Sequence, residues 1–392
     1  MTTAMTTLGE LIHLQRGYDL TETQRRPGSV PIVGSAGVHG YHDTARAKGP
    51  GVTLGRRGAS FGKVTFVRED FWPHNTTIFV TDFKGNEPLF ISYLLQSLDF
   101  SSLNSGSAQQ SLNRNFVYPV PVRKFALPLQ RLIAGILSAY DQLMENSQRR
   151  IRILEEMARA LYREWFVNFR FPGQEKLLRV ASSLGDIPHG WEVCPLGDFV
   201  QFKSGFAFKS GTFTAEGEHR LVTIRNVQDG AFNPESDSRM SELPKNLPPY
   251  CLLKDGDILL SLTGNVGRVC LVYDAPFLLN QRVSKLAPVE AFDWAMTYCM
   301  FREPEMRVKL EQLSNGVAQQ NLSPVLASKM EFARAPRELR QQSATVVEPM
   351  VRRIVQLHST IQNLRRTRDL LLPRLLSGQV ELAPSNGKNT KL

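Results

Sequence analysis

One short pattern occurs twice in this chain and constrains the fold more than any other feature. Ser105-Gly106-Ser107-Ala108-Gln109-Gln110-Ser111-Leu112 and Asn315-Gly316-Val317-Ala318-Gln319-Gln320-Asn321-Leu322 share Gly-x-Ala-Gln-Gln-x-Leu. Each copy is followed by a short proline-bounded apolar strand and then by a long helical stretch. The same pieces in the same order, twice, describe two copies of one module.

Further matches extend the repeat. Residues 8–20 (Leu-Gly-Glu-Leu-Ile-His-Leu-Gln-Arg-Gly-Tyr-Asp-Leu) align without gaps on 196–208 (Leu-Gly-Asp-Phe-Val-Gln-Phe-Lys-Ser-Gly-Phe-Ala-Phe), so each opens its domain. The second opening is introduced by a turn at Ile187-Pro188-His189-Gly190-Trp191. A β-rich run, a glycine loop and a basic residue then recur at 51–64 and 256–269. Gly58 corresponds to Gly264, Gly62 to Gly267 and Lys63 to Arg268, with one extra loop residue in the first copy. Trp72-Pro73-His74-Asn75 falls where Leu278-Leu279-Asn280-Gln281 falls. The glycine loops are either sites where backbone approaches a ligand closely or hairpin turns with none.

The helices repeat as well. Ile133, Leu137, Tyr140, Met144, Ser147, Ile151, Leu154, Ala158, Leu161 and Trp165 follow alternating steps of four and three, a heptad seam. A second seam runs through Ser343, Val347, Met350, Ile354, Leu357, Ile361, Leu364, Arg368, Leu371 and Leu375. Pro349 and Pro373 are expected to kink or end turns there, and Arg368 fits a seam only by snorkelling. Two such stripes bury most simply against each other. At ~1.5 Å per residue over roughly 34 residues the rod is ~50 Å long, with a globular domain at either end of an antiparallel pair. Ile136, Leu143, Ile153, Met157 and Tyr162 lie off the seam and are expected to remain as exposed apolar surface.

The 392 residues allow two or three domains with real cores. A net charge of +10 and a pI near 9.5 favour a polyanionic partner, nucleic acid before an acidic membrane surface. The four cysteines, Cys194, Cys251, Cys270 and Cys299, are not at C-x-x-C spacing, so neither a disulfide scaffold nor a zinc site is expected and a reducing cytoplasm fits. The start of the chain lacks a signal-peptide pattern, and no apolar run reaches the ~18 residues of a membrane span.

The sequence gives no catalytic residue, metal site or cofactor motif. Gly58-Ala-Ser-Phe-Gly62-Lys63-Val64 has the wrong spacing for a Walker loop, and Val64 cannot hold magnesium. Asn233-Pro234-Glu235-Ser236 lacks the aromatic of an amino-methyltransferase motif, and His39, His42 and Asp43 lack the companions a metal needs. Loops flanking strands instead carry side chains suited to DNA. In the first copy these are Arg56, Arg57, Ser60, Lys63, His74, Asn75, Gln109, Gln110, Asn113 and Arg114. In the second they are Arg225, Asn226, Thr263, Asn265, Arg268, Asn280, Gln281, Arg282, Gln319, Gln320 and Asn321. Arg, Asn and Gln pair bidentately with purine edges, and Lys and Arg neutralise phosphates. The repeated Gln-Gln pair has a second reading, as a structural tie between loop and backbone.

Taken in order, these pieces resemble the DNA-specificity subunit of type I restriction–modification systems over nearly the whole chain. They are the Leu-Gly-acidic openings, the Thr263-Gly264-Asn265-Val266-Gly267 loop, the two Gly-x-Ala-Gln-Gln-x-Leu stretches, and the helix ends at 161–173 and 370–378. The resemblance implies an α+β chain with two pseudo-symmetric mixed α/β target-recognition domains separated by an antiparallel two-helix coiled coil. It implies that each domain reads one half of a bipartite asymmetric site in double-stranded DNA. The helices would dock two modification (methyltransferase) subunits and set the half-site spacing, with restriction (translocase/endonuclease) subunits added. Catalysis and the methyl donor would belong to those partners, leaving this chain non-catalytic. The expected boundaries are recognition domain 1 at 1–125, a central helical spacer at 126–171, a linker at 172–190, recognition domain 2 at 191–332, a C-terminal spacer at 333–382 and a flexible tail at 383–392. The first domain departs from the pattern in lacking the Pro-x-Gly-Trp step before Trp191 and in its longer glycine loop. A dispersed enzyme site and a coiled-coil adaptor are the rival readings; steep salt dependence of duplex binding separates DNA recognition from an adaptor.

Overall fold

The computed structural model describes residues 4–104, 111–173, 178–214, 216–314 and 320–380. Gln109, Gln110 and Gln319 therefore lie outside the described residues, as does the tail expected at 383–392. The chain divides into two compact units: residues up to 142 with those from 364 onward, and residues 143–363.

The first unit contains β1 (Met5–Thr7), α1 (Leu8–Leu11), β2 (His13–Arg16), β3 (Val30–Gly34), β4 (Gly37–His42), β5 (Gly51–Gly55), β6 (Val64–Val67), β7 (Trp72–Pro73), β8 (Thr77–Asp82), α2 (Pro88–Gln96), α3 (Arg114–Val117), β9 (Pro121–Arg123) and the start of α4 (Leu127–Tyr162). The second contains the rest of α4, β10 (Arg179–Ser182), β11 (Gly185–Pro188), β12 (Glu192–Pro195), β13 (Val200–Ser204), β14 (His219–Val222), β15 (Val227–Gln228), β16 (Ala231–Phe232), β17 (Arg239–Met240), β18 (Leu252–Leu253), β19 (Ile258–Ser261), β20 (Val269–Leu271), β21 (Phe277–Leu279), β22 (Val283–Pro288), α5 (Trp294–Phe301), α6 (Pro304–Gln312), α7 (Pro324–Ser328), β23 (Glu331–Arg334) and most of α8 (Arg337–Leu376).

The two units share one topology. An antiparallel sheet is ordered β2-β8-β5-β6 in the first and β13-β22-β19-β20 in the second. Beside it, a parallel pair sits inside a smaller sheet: β3 with β7, and β14 with β21. A strand pair closes each unit, β1 with β9 and β12 with β23, directly before the long helix. All five residues of β5 and all four of β19 are buried, Thr53 and Ser261 among them, so both faces of these central strands are covered. Val52 and Leu54 join Phe90, Leu94 and Ile133 in one core, each burial contributing about 1.5–3 kcal/mol. The four cysteines are buried and free.

The long helices are anchored within each unit by polar contacts. In the first, the fully buried Gln130 of α4 donates to Asn86 Oδ1 (2.7 Å) and to the Phe125 carbonyl (2.8 Å), and accepts from the Glu87 amide (2.9 Å). In the second, Glu155 accepts from Arg302 (2.9 Å) and Tyr298 (3.1 Å), and Arg159 and Arg163 converge on Glu303. Ile133, Leu137, Met144, Ser147, Ile151 and Ala158 are buried, while Tyr140, Leu154 and Leu161 are half-buried, so the seam positions turn inward along α4, and Trp165 is buried in the π-helical turn Arg163–Val167 that follows it. In the first unit α4 and α8 run antiparallel. Ile133 and Leu137 share a core with Leu371, Leu372, Leu375 and Leu376, and Asp141 meets Arg368 at 2.6 Å.

Four expectations need correction. Neither proline ends α8, which runs unbroken through Pro349 and Pro373 to Leu376; burial of Val347, Val351 and Ile354 holds the helix across the lost hydrogen bond, a defect worth ~3 kcal/mol. Arg368 does not merely snorkel, because Asp141 and Asp369 hold its guanidinium and Tyr93 donates to the same Asp141 carboxylate. Tyr162 is only 6% exposed, and Ile136 packs against the first core, whereas Leu143, Ile153 and Met157 are about half exposed. The stretch read as a linker at 172–190 contains the β10–β11 hairpin, closed by Gly185 in the left-handed region (φ 93°).

Candidate nucleic-acid interface

Each unit builds its candidate surface on the same backbone frame. Where β2 ends, Gly17 donates to the Thr77 carbonyl and Tyr18 to the Pro73 carbonyl; in the second unit Gly205 donates to Val283 and Phe206 to Leu279. The strands pass so closely that a Cβ on Gly17 would lie 2.1 Å from the His74 carbonyl oxygen, and one on Gly205 2.1 Å from that of Asn280. Glycine is required at both places for the same steric reason. The glycine loops also match: Gly58 (φ 68°) and Gly264 (φ 76°), then Gly62 (φ 74°) and Gly267 (φ 81°), occupy the left-handed region. Leu112 donates to the Arg56 carbonyl (3.0 Å) as Leu322 donates to Leu262 (2.8 Å). The distal ends of both Gly-x-Ala-Gln-Gln-x-Leu stretches thus dock beside the glycine loops.

In the first unit this frame encloses a cleft of about 510 Å³ lined by Gln15, Arg16, Gly17, Tyr18, Asp19, Arg56, Ile78, Leu112, Asn113 and Arg114. Arg56 is half-buried, and its Nη1 is buried with no hydrogen-bond partner among the described residues. Burial, then the charges of Arg57 and Arg16, holds its guanidinium below the ordinary arginine range. Asn113 caps α3 by accepting from the Asn115 amide (3.0 Å), and Arg114 donates to the Leu14 carbonyl (3.2 Å). Arg57 is exposed. Lys63 is exposed but donates to the Ala36 carbonyl (2.7 Å), and Ser60 is half-buried with its carbonyl accepting from the Lys63 amide (3.1 Å). Asn75 donates to Asp19. His74 is half-buried, lies 2.9 Å from Thr77 through its carbonyl, and packs edge-on against His39 with centroids 5.2 Å apart. Burial lowers both imidazoles, helped at His39 by His74 and Arg25.

The second unit has a cleft of about 640 Å³ whose lining includes Phe208, Phe213, Arg225, Asn226, Asn233, Glu235, Ser236, Asp237, Asn280, Gln281 and Arg282. Arg225, Gln281 and Arg282 are exposed on it, and Asn280 is 7% exposed. Asn265 is exposed in the glycine loop. Thr263 donates to Asn321 (2.8 Å), Gln320 accepts from the Gly264 amide through its carbonyl (3.0 Å), and Arg268 donates to Gln228. Asn226 departs from its assignment as a DNA contact. It is 3% exposed, donates to the Asn233 (2.9 Å) and Glu235 (2.7 Å) carbonyls, and accepts from the Thr223 amide (2.8 Å) and hydroxyl (3.1 Å). Its amide is saturated by its own loop, so it braces the cleft wall.

Sequence reasoning missed Gln15, Arg16, Tyr18 and Asp19 in the first cleft, and Phe208, Phe213 and Ser236 in the second. For the first cleft the signal was present in the aligned Gly-aromatic step, because Gly17-Tyr18, the counterpart of Gly205-Phe206, marks where the opening strand reaches that cleft. Among the described residues no cluster of three or more His, Cys, Asp or Glu is placed to hold a metal ion, and no helix is long and apolar enough to cross a membrane.

The model of the type I restriction modification DNA specificity domain matches residues 2–156 and again 188–325. The MjaIX type I restriction enzyme specificity subunit of Methanocaldococcus jannaschii is 24% identical over 305 residues, spanning 75% of this chain and 69% of the relative. The MjaVIII specificity subunit of the same organism is 27% identical over 61% of this chain and 57% of its own length. The HindI specificity subunit of Haemophilus influenzae is 23% identical over 64% and 67%. In fold, the chain is similar to the crystal structure of the type I restriction–modification S subunit from M. genitalium, with a TM-score of 0.64, 18% identity and 96% of both chains covered. Two matches to one domain model, falling on two units of one topology, place the chain in the type I restriction–modification DNA specificity family.

Proposed function

We propose that this chain is the DNA-reading subunit of a type I restriction–modification complex, each unit reading one half of a bipartite asymmetric site. The observation that carries this is a difference within a likeness. One backbone frame is repeated down to Gly17 and Gly205, yet Gln15, Arg16, Arg56, Asn113 and Arg114 line the cleft of the first unit, and Arg225, Asn233, Gln281 and Arg282 line a cleft at a different place on the second. A repeated scaffold with unlike polar side chains suits two unlike half-sites. In this reading recognition domains 1–125 and 191–332 alternate with helical spacers at 126–171 and 333–382. The spacers dock two modification subunits, for which Leu143, Ile153 and Met157 supply apolar surface on α4. Restriction subunits join that assembly, and methyl transfer and cleavage stay with the partners.

The test is to express the chain with its modification subunits and map methylated positions genome-wide. A bipartite motif with two unlike halves is expected, together with duplex affinity that falls steeply with salt. Methylation at a continuous or palindromic motif, or affinity indifferent to salt, would refute the reading.

A further inference from the structure

Arg56 is the unusual side chain of the first cleft. Its backbone makes the same two bonds as Leu262 in the second unit: its amide donates to Thr76 (2.9 Å) as that of Leu262 donates to Arg282 (3.0 Å), and both carbonyls accept from the following leucine. An apolar side chain satisfies the frame at Leu262, so the frame does not require a guanidinium at Arg56. Yet a half-buried cation stands there, with Nη1 enclosed and unpartnered among the described residues. Its charged neighbours are Arg57 and Arg16, which only add like charge. Asp19, the carboxylate in the cleft lining, is engaged by Arg16 at 3.5 Å and by Asn75. Arg114 completes three guanidiniums around one concavity.

Shape decides what fills it. A base edge lies at the floor of a groove and is read by a side chain that protrudes into it; Arg56 is recessed. The convex, anionic part of a duplex is its sugar–phosphate strand. Building on the DNA-reading function above, we infer that Arg56, flanked by Arg16 and Arg114, seats one backbone phosphate of the half-site bound by the first unit. Arg56 is then a positioning residue that fixes the register of the strand without choosing its bases. The second unit carries Leu262 at the equivalent position, so the seat belongs to one half of the complex alone.

The experiment uses the chain assembled with its modification subunits and a duplex carrying its mapped motif. For Arg56→Leu, affinity at ~50 mM salt should fall about tenfold, and the slope of log K against log salt should shrink by ~0.9, one phosphate's share. The methylated motif should keep every base. Arg56→Lys should retain the slope. Single uncharged methylphosphonate linkages walked along the duplex should locate one position, in one half-site, that weakens the parent complex but not Arg56→Leu. Should Arg56→Leu not assemble, Arg56→Gln carries the same comparison. An unchanged slope, no such linkage, or relaxation of a specified base would each overturn the phosphate seat. Failure of the parent complex to bind duplex with salt dependence would instead sink the DNA-reading function itself.

Discussion

Tyr273 and His358 lie face to face in the second unit, ring centroids 4.3 Å apart and planes 2° from parallel. Tyr273 is fixed at its far end, where its hydroxyl donates to the Phe232 carbonyl, so the stack ties α8 to the body of that unit. Burial holds His358 down to about 4 from an ordinary 6.5. The folded state therefore keeps the ring neutral where the unfolded chain would protonate it. Its contribution is fully present above pH 6.5 and is lost as pH falls toward 4, up to about 3 kcal/mol. Melting temperatures across that window should fall more steeply for the parent chain than for His358→Phe, which keeps an aromatic face and cannot titrate. Identical curves would remove His358 as the cause.

Gly17→Ala and Gly205→Ala should each damage one unit only. A methyl 2.1 Å from a backbone oxygen cannot be absorbed by turning a side chain, so the strand or the loop opposite must move. A cost of about 2–3 kcal/mol is expected, toward the upper end for overpacked sites. In motif mapping, Gly17→Ala should blur one half of the methylated site and Gly205→Ala the other. A Gly17→Ala variant that altered both halves would contradict the independence of the two frames.

Much of this architecture is legible in the sequence because it depends on local rules applied twice. The seam from Ile133 to Trp165 is periodic, and the paired glycines Gly58/Gly264 and Gly62/Gly267 mark backbone that side-chain-bearing residues avoid. What escapes is decided by distant partners. Arg368 sits at an apolar seam position because Asp141, 227 residues earlier, holds it. Pro349 stays inside α8 because apolar burial outweighs the local defect. Asn226 carries the chemistry of a base reader, yet its neighbours use all of it.

That last distinction is testable. Asn226→Ala removes two donors and an acceptor from a loop that supplies the second cleft, leaving the Asn233 and Glu235 carbonyls and the Thr223 amide in want of partners. A loss of about 2–3 kcal/mol is expected. Recognition at the second half-site should weaken across all its bases, because the wall moves rather than one contact. Loss of discrimination at a single base, with unchanged thermal stability, would return Asn226 to the role of reader.

If the two long helices set the half-site spacing, lengthening both must lengthen the unspecified gap in the target. One heptad inserted after Arg150 and one after Thr360 keeps every seam residue on its face. It also respects the antiparallel register seen in the first unit, where Asp141 meets Arg368. Seven residues add ~10 Å of helix, or ~3 base pairs at ~3.4 Å per step. That shift turns one half-site by nearly a third of a helical turn, so the original target should no longer satisfy both units. DNA bending absorbs part of the change, and a gap longer by roughly two to four base pairs is the expected result. Sequencing the methylated motif of the insertion variant reads it directly. An unchanged gap with full modification activity would mean that something other than α4 and α8 measures the distance between the halves.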